Sequence, residues 1–225
     1  MKLTGARKSF ANQTILDGFN FEIPKGITCL FGPSGCGKTT LLNAFMQIIR
    51  LDAGQIDGGE KISAIFQDFR LLPWVTAFEN IMSVSSSRRK DPKPVHELLD
   101  RLGLADAAEK YPGELSGGMK QRLNIARGLF FEHDILFMDE PFSGLDISLK
   151  TDIMFFVRER CAGKSVLFVT HDIDEAIAIS DQAVILSGPP LKIEHFFEIN
   201  LSRKKRKKDD EFSVFRQQFL RFANN

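Results

Sequence analysis

The segment GPSGCGKT, residues 32–39, decides the fold of this 225-residue chain. It fits the pattern G-x-x-x-x-G-K-S/T, and it lies between the apolar run GITCLF (26–31) and the helical run TLLNAFMQII (40–49). Glycines let the backbone turn its N–H groups toward a phosphate chain, and the positive end of the following helix adds to the attraction. An ordinary glycine-rich turn is the alternative interpretation, which the flanking strand and helix disfavour. The segment therefore predicts a nucleotide phosphate site.

The side chains of this segment have distinct expected roles. Lys38 is expected to pair with the β and γ phosphates of the nucleotide, and the Thr39 hydroxyl is expected to hold Mg²⁺. Cys36 occupies a variable position of the pattern, so we expect its thiol to be incidental to turnover, although its alkylation would block the loop and slow ATP binding. The predicted nucleotide-binding residues of this segment and its flank are Gly32, Pro33, Ser34, Gly35, Cys36, Gly37, Lys38, Thr39 and Thr40.

Short apolar runs elsewhere in the chain predict an α/β fold. The first 25 residues alternate apolar and polar side chains, which predicts a small N-terminal antiparallel β subdomain. Periodic apolar positions between about 68 and 127 predict an inserted α-helical subdomain. Runs rich in Val, Ile and Phe suit strands buried on both faces of a mostly parallel central sheet. These further runs are residues 62–66, 134–138, 165–169 and 183–186.

Composition limits the class of protein and its organisation. Lys and Arg number 30 against 29 Asp and Glu, so no field of one sign attracts nucleic acid or an acidic membrane to the whole chain. The N-terminus lacks the apolar run of a secretory signal, and no stretch of about 18 apolar residues occurs, so we expect a cytoplasmic protein. Three widely spaced cysteines suit neither a disulfide framework nor a zinc site.

We expect one catalytic domain over residues 1–200, followed by a tail over 201–225 that is first basic and then rich in phenylalanine. The basic run RKKRKK (203–208) has the charge to contact anionic lipid. A solvated charge run is the favoured interpretation, because the acidic residues 209–211 follow at once. The tail is expected to be a separate element.

Two carboxylates follow one of the predicted buried strands. Asp139 and Glu140 come directly after the apolar residues of DILFMDEP (134–141). An Asp at this place can bind Mg²⁺, and the adjacent Glu can take a proton from the water that attacks the γ phosphate. Acidic residues that cap a helix after a strand are the alternative interpretation, which the phosphate loop disfavours. The pair is therefore predicted to be hydrolytic.

A second anion site is predicted in LSGGMKQR (115–122). Ser116, Gly117 and Gly118 lie where a helix should begin, and a helix N-terminus attracts negative charge. One nucleotide needs only one phosphate site. We therefore expect the second site to face a nucleotide that another copy of the chain holds.

These motifs together resemble the ABC ATPase family. GPSGCGKT is similar to its Walker A motif, ILFMDE (135–140) to its Walker B motif with the catalytic glutamate, and LSGGMKQR to its signature, in the same order and with similar spacing. The resemblance covers residues 1 to about 190. It implies Mg-ATP hydrolysis with Glu140 as the base, in a head-to-tail dimer with a second copy or a paralogous cassette.

The resemblance also implies roles for three isolated residues and one short loop. Gln67 is similar to the glutamine that senses Mg²⁺ or the attacking water, His171 to the switch histidine, and SGLD (143–146) to the D-loop. Phe10 lies where the family has an aromatic residue that stacks on adenine. From chemistry alone, a solvated Gln at a strand end, a structural His and an ordinary core aromatic are the alternatives.

Finer resemblance suggests the transport system. IFQDFRLLPWVTAFENI (65–81) and HDIDEAIAISDQAVILSGPP (171–190) are similar to ATPases of nitrate, sulfonate, taurine or thiamine-precursor importers. This implies a transmembrane permease partner, indirectly an extracytoplasmic solute-binding protein, and a peripheral position on the inner face of the cell membrane. Leu71, Leu72 and Trp74 are expected either to contact the permease or to pack within the helical subdomain.

Two other functions are compatible with a phosphate loop. A non-transport ABC ATPase acting on nucleic acid or ribosomes would usually carry long coiled-coil insertions or tandem cassettes, and neither occurs here, so no nucleic acid partner is expected. A phosphotransferase would need an acceptor pocket and would not explain LSGGMKQR. Transport therefore remains the favoured interpretation.

Overall fold

Two β-sheets and seven α-helices organise the residues that the structure describes. The structure is a computed structural model that describes residues 1–59, 61–85, 91–201 and 210–223, with only the backbone described at 210, 211, 215 and 221–223. The strands are β1 (Lys2–Phe10), β2 (Gln13–Glu22), β3 (Gly26–Phe31), β4 (Ala53–Asp57), β5 (Ile62–Ile65), β6 (Ile135–Asp139), β7 (Ser165–Val169), β8 (Gln182–Ser187) and β9 (Lys192–Glu198). The helices are α1 (Lys38–Phe45), α2 (Ala77–Met82), α3 (Lys93–Arg101), α4 (Gly117–Phe130), α5 (Ile147–Arg160), α6 (Ile173–Ile179) and α7 (Asp210–Ala223).

The central sheet confirms the predicted α/β fold. Its six strands have the order β5-β6-β7-β3-β8-β9, and all neighbouring pairs are parallel except β8 with β9. Every residue of β6 is buried, which explains the unbroken apolar run that predicted this strand. Because parallel strands end at the same edge, the segments after β3, β6 and β7 meet there.

The small antiparallel sheet contains a strand that the sequence does not predict. Its order is β2-β1-β4, so β4, from residues 53–57, joins the two strands of the predicted N-terminal subdomain. β4 gives no apolar signal because it is a short edge strand with four of its five residues exposed. It lies very close to β1, since a Cβ on Gly54 would come within 2.6 Å of the Gly5 carbonyl oxygen.

The helical subdomain rests on the central sheet through α4. Gly128 of this helix lies against β5, and a Cβ there would come within 2.4 Å of Ile65 Cγ1. The Ser63 hydroxyl of β5 donates a hydrogen bond of 2.7 Å to the Gly128 carbonyl. α2, which begins with a capping box formed by Thr76 and Glu79, packs on α4 in turn. The segment that leads from β5 into the helical subdomain therefore lies beside α4.

Helix α7, which lies in the C-terminal tail, packs on the main core. Phe212 and Phe219, seven residues apart and so on one face of the helix, are 3% and 0% exposed. The Phe219 ring lies edge-on to Phe31 at 5.0 Å and to Phe197 at 5.3 Å between centroids. This part of the tail therefore contacts the strand that leads into residues 32–39. The basic run 203–208 lies outside the described residues.

Candidate functional site

The predicted phosphate loop connects β3 with α1, and its glycines are required by geometry. Gly35 and Gly37 have φ values of +81° and +118°, in the left-handed region where a side chain is strained. A Cβ on Gly37 would also come within 2.7 Å of Ile15 Cγ2, and one on Gly32 within 2.4 Å of the Leu186 carbonyl oxygen. The loop can therefore approach its neighbours only with glycine at these positions.

Lys38 lies in the first turn of α1 and folds back over the loop. Its Nζ atom donates hydrogen bonds of 2.7 Å to the Gly32 carbonyl and 2.8 Å to the Pro33 carbonyl. Lys38 is 8% exposed, so its ammonium group is held beside the loop. Cys36 is fully buried, with its Sγ atom 3.9 Å from this Nζ. The expected alkylation of Cys36 would therefore require the loop to open first.

Asp139 ends β6 beside the phosphate loop. It is 7% exposed, and the Thr39 hydroxyl interacts with its carboxylate. Burial raises the pKa of Asp139, and the Glu140 charge adds to this, whereas Thr39 and the Lys38 charge oppose it. A hydroxyl and a carboxylate thus meet at one point of the cavity wall.

Glu140 follows Asp139 with an unusual backbone. Its φ is +48°, in the left-handed region, and its N–H donates a 3.0 Å hydrogen bond to the Val169 carbonyl of β7. Such a conformation costs about 1–3 kcal/mol in a residue other than glycine, so the neighbouring strand must hold it. It aims the carboxylate toward His171, whose Nδ1 lies 2.9 Å from Oε1 of Glu140. This hydrogen bond raises the pKa of His171.

All four predicted catalytic residues and five of the eight residues of the phosphate loop line one cavity of about 420 Å³ at the carboxyl edge of the sheet. Gly32, Pro33 and Cys36 belong to the loop but not to the lining. Sequence reasoning missed Ile15 and Val169, which are ordinary strand residues and give no signal. The lining residues are Ile15, Ser34, Gly35, Gly37, Lys38, Thr39, Thr40, Gln67, Asp139, Glu140, Ser143, Val169 and His171.

Gln67 follows β5 at the cavity rim, and α4 holds the loop on which it lies. Asn124 Nδ2 donates a 2.8 Å hydrogen bond to the Phe66 carbonyl, the residue before Gln67. Arg127 donates to the carbonyls of Phe69 at 2.9 Å and Arg70 at 2.6 Å. Burial lowers the pKa of this guanidinium. Sequence reasoning missed both holding residues, although polar side chains three positions apart on a helix offered a signal.

The signature residues lie outside the cavity. Ser116 is the N-cap of α4, its Oγ accepts a 3.3 Å hydrogen bond from the Met119 N–H, and it is exposed together with Gly117. Gly118 is half-buried. The structure therefore does not bring these residues to the phosphate loop of the same chain, and their contact with a different nucleotide stays a prediction.

Phe10 also lies outside the cavity lining. It ends β1, is 48% exposed, and has Lys8 Nζ at 5.2 Å from its ring centroid. The ring is therefore not an ordinary core aromatic.

Trp74 and Leu71, both named as candidates for contact with a permease, differ in their surroundings. Trp74 is 71% exposed, whereas Leu71 packs against the core.

No helix of the described part of the chain has the length and apolar character to cross a membrane.

Comparison with known proteins relates the whole arrangement to ATP-binding cassettes. A family model described as "ABC transporter" matches residues 16–143. The aliphatic sulfonates import ATP-binding protein SsuB 2 of Burkholderia cenocepacia (strain HI2424) is 37% identical over 96% of this chain and 84% of its own length. Its counterpart SsuB of Bacillus cereus (strain ATCC 10987 / NRS 248) is 38% identical over 98% and 94%.

A solved structure also resembles this chain over most of its length. The ATP-binding cassette MJ0796, solved as a dimer in a post-hydrolysis state bound to ADP and Pi, superposes with a TM-score of 0.76 and 28% identity. The superposition covers 89% of this chain and 99% of that one.

Proposed function

We propose, from the premise that this chain belongs to the ABC transporter family, that it powers the import of aliphatic sulfonates. The chain is an ATP-binding and ATP-hydrolysing subunit of an ABC transporter, and such subunits dimerise and act with a membrane permease. The sulfonate class rests on the names of the relatives that match nearly the full length of the chain. The residue roles rest on one observation, which is that Lys38, Asp139, Glu140 and His171 line a single cavity.

ATP phosphates bind to the loop over residues 32–39. The loop N–H groups and the N-terminus of α1 attract the phosphate chain. Lys38 exchanges its hydrogen bonds with the Gly32 and Pro33 carbonyls for the β and γ phosphates. Thr40, Ser34 and Gly35 complete the lining on this side.

Three oxygen-bearing side chains of the cavity suit Mg²⁺. Thr39, Asp139 and Gln67 offer a hydroxyl, a carboxylate and an amide oxygen, all of the hard type that this ion prefers. These three side chains would hold the ion together with the phosphates of the nucleotide. When bound, Mg²⁺ neutralises phosphate charge and polarises the γ phosphate.

Glu140 is the general base. Its carboxylate is mostly buried, with a side-chain exposure of 16%, and it lines the cavity. It takes the proton of that water as the oxygen attacks the γ phosphate in line. His171 holds the carboxylate and, with a side-chain exposure of 75%, is able to turn toward the phosphate.

The second half of each nucleotide site comes from another chain. Ser116 caps α4, and Gly117 and Gly118 are its first two residues, where a helix N-terminus attracts an anion. We propose that they contact the γ phosphate held by a second copy or a paralogous cassette. Phe10 stacks on the adenine of its own nucleotide.

The remaining partners follow from transport. Trp74 is exposed close to the Gln67 loop and forms part of the permease surface. The complex includes an extracytoplasmic solute-binding protein indirectly, and the chain lies on the cytoplasmic, inner face of the cell membrane. Residues 1–200 form the ATPase domain. Nucleic acid is not a partner.

The test is copurification followed by reconstitution. The tagged chain is extracted from its own cells with mild detergent and Mg-ATP, and the copurifying proteins are identified. We expect a multi-span membrane protein whose complex, in liposomes with its solute-binding protein, hydrolyses ATP several-fold faster with alkanesulfonates than with nitrate or a thiamine precursor. Recovery of only soluble proteins or nucleic acid would contradict transport, and stimulation by nitrate alone would contradict the sulfonate class.

A further inference from the structure

A cluster of charged side chains lies directly behind His171. It joins the segment Thr170–Glu175, which contains this histidine and the start of α6, to Lys150 on α5. Glu175 has a side-chain exposure of 4%, and Lys150 of 23%. None of these four residues, Lys150, Thr170, Asp172 and Glu175, has a role in the hydrolysis described above. A buried charge requires a partner to be tolerated, so the cluster requires an explanation.

Lys150 bridges two carboxylates of the cluster. Its Nζ atom lies 2.9 Å from Oδ2 of Asp172 and 2.6 Å from Oε1 of Glu175. The second oxygen of Glu175 accepts a 2.5 Å hydrogen bond from the Thr170 hydroxyl. Burial raises the pKa of Glu175 in spite of these two donors. Both oxygens of the buried carboxylate are therefore used, and Lys150 supplies the compensating charge.

The two carboxylate oxygens of Asp172 have different hydrogen-bond partners. Oδ1 caps α6 by accepting hydrogen bonds from the N–H groups of Asp174 and Glu175, at 2.8 and 3.3 Å. Oδ2 is left for Lys150. The Asp172 N–H in turn donates a 3.1 Å hydrogen bond to the Thr170 hydroxyl. The residues on both sides of His171 are thus anchored to one network.

Two other helices meet at this network. Lys150 lies one turn into α5, and its N–H donates a 2.9 Å hydrogen bond to the carbonyl of Asp146, the last residue of SGLD. On the far side of α6, Arg216 of α7 lies 2.8 Å from Asp174. Because Lys150 is attached to a rigid helix, its ion pairs restrain where the backbone of His171 can lie.

We propose that Lys150 is a positioning residue for His171, holding residues 170–172 where the imidazole reaches both Glu140 and the γ phosphate. Through Asp146 it also ties the position of His171 to the SGLD segment. This inference rests on the proposed role of His171. It assigns Lys150 no contact with ATP, so its loss should slow hydrolysis and leave the binding of ATP in place.

Arg158 offers a matched control on the same helix. Its guanidinium lies 2.6 Å from Asp181 and also donates to the Ile179 carbonyl at the end of α6. Its side-chain exposure of 26% is close to that of Lys150. Arg158→Met therefore removes a comparable α5 ion pair that does not adjoin His171.

The experiment measures steady-state ATP hydrolysis by the full chain in its permease complex. We expect Lys150→Met to lower kcat about tenfold while KM for ATP changes less than about twofold, and Lys150→Arg to restore most of kcat. Arg158→Met should leave kcat within about twofold of the parent. In a His171→Ala background, Lys150→Met should cause no further loss, because residues that act through one another are not additive.

A second variant guards against a folding failure of Lys150→Met. Asp172→Asn keeps the helix cap but loses the charge that pairs with Lys150, and we expect the same loss of kcat with the thermal unfolding midpoint close to the parent. Equal kcat for Lys150→Met and Arg158→Met, or full additivity with His171→Ala, would overturn the positioning role alone. If His171→Ala itself retains kcat, the proposed role of His171 is overturned, and this inference with it.

Discussion

Nδ1 of His171 lies 2.9 Å from Oε1 of Glu140, and this contact joins the ends of two neighbouring parallel strands. Glu140 follows β6 directly, and His171 comes two residues after β7 ends at Val169. The Glu140 N–H also bonds to the Val169 carbonyl. Backbone and side-chain contacts therefore hold the proposed base and its histidine as one unit.

Glu140→Gln should abolish turnover without preventing ATP binding. The amide keeps the size of the side chain but cannot take a proton, so we expect kcat to fall by at least about 100-fold, within the range of general-base contributions. The variant should accumulate as an ATP-bound dimer, observed by size-exclusion chromatography with radiolabelled ATP. Glu132→Gln, at a surface pair with Lys61, is the control. Hydrolysis by Glu140→Gln at the parental rate would refute the base.

The pKa of His171 should fall toward its ordinary value in Glu140→Gln. In the parent, the hydrogen bond and charge of Glu140 raise that pKa. A raised pKa in the folded state means that the contact stabilises fully below the ordinary histidine pKa and that this contribution is lost as pH rises through the raised value. The measurement is an NMR titration of the imidazole signals. His133, whose pKa is lowered by burial far from Glu140, should titrate unchanged.

The sequence predicts the strands of the central sheet that have no exposed residue. β6 is buried along its whole length, so its apolar run was enough to place it within one residue at each end. β4 is a polar edge strand held by pairing with β1, and β9 pairs antiparallel with β8 after the last predicted run. Such strands depend on neighbours that are distant in sequence, so local patterns do not reveal them.

The candidate site also contains some residues that the sequence predicts and others that it does not. Residues placed by a motif beside a predicted strand, such as Lys38 and Asp139, could be expected at one edge because parallel strands end together. Lys150 could not, because a lysine on a helix usually faces solvent and only the packing of α5 against α6 brings it to Glu175. The same holds for Arg127, whose acceptors are backbone carbonyls.

Gly128→Ala should destabilise the protein through the contact of α4 with β5. The added methyl would lie 2.4 Å from Ile65 Cγ1, which is not the end of a flexible side chain, so the helix must move. We expect the free energy of unfolding to fall by about 1–3 kcal/mol, measured by urea denaturation. Gly113→Ala, with nothing within 4 Å of the added Cβ, should change it by less than about 0.5 kcal/mol. Equal stability of the two variants would contradict the close packing.

Phe219→Ala should show that the C-terminal helix belongs to the core. The ring is fully buried between Phe31 and Phe197, so its removal leaves a cavity. We expect a loss of about 3–5 kcal/mol in the free energy of unfolding. Val214→Ala on the same helix, at a position 54% exposed, should cost less than about 1 kcal/mol. If both changes are equally small, α7 adds no stability to the cassette.

Phe10→Ala should weaken ATP binding, because the exposed ring at the end of β1 is proposed to stack on adenine. Phe10 ends β1 with its ring 48% exposed, so the loss of the ring costs little core packing. Stacking of a base on an aromatic ring contributes about 1–3 kcal/mol, which corresponds to a rise in Kd of about 5- to 150-fold. Isothermal titration with a non-hydrolysable ATP analogue measures it. Phe196→Ala removes a similarly exposed ring from β9, at the edge of the other sheet, and should leave Kd unchanged. Phe10→Trp keeps a stacking surface and should retain affinity. An unchanged Kd for Phe10→Ala would exclude stacking.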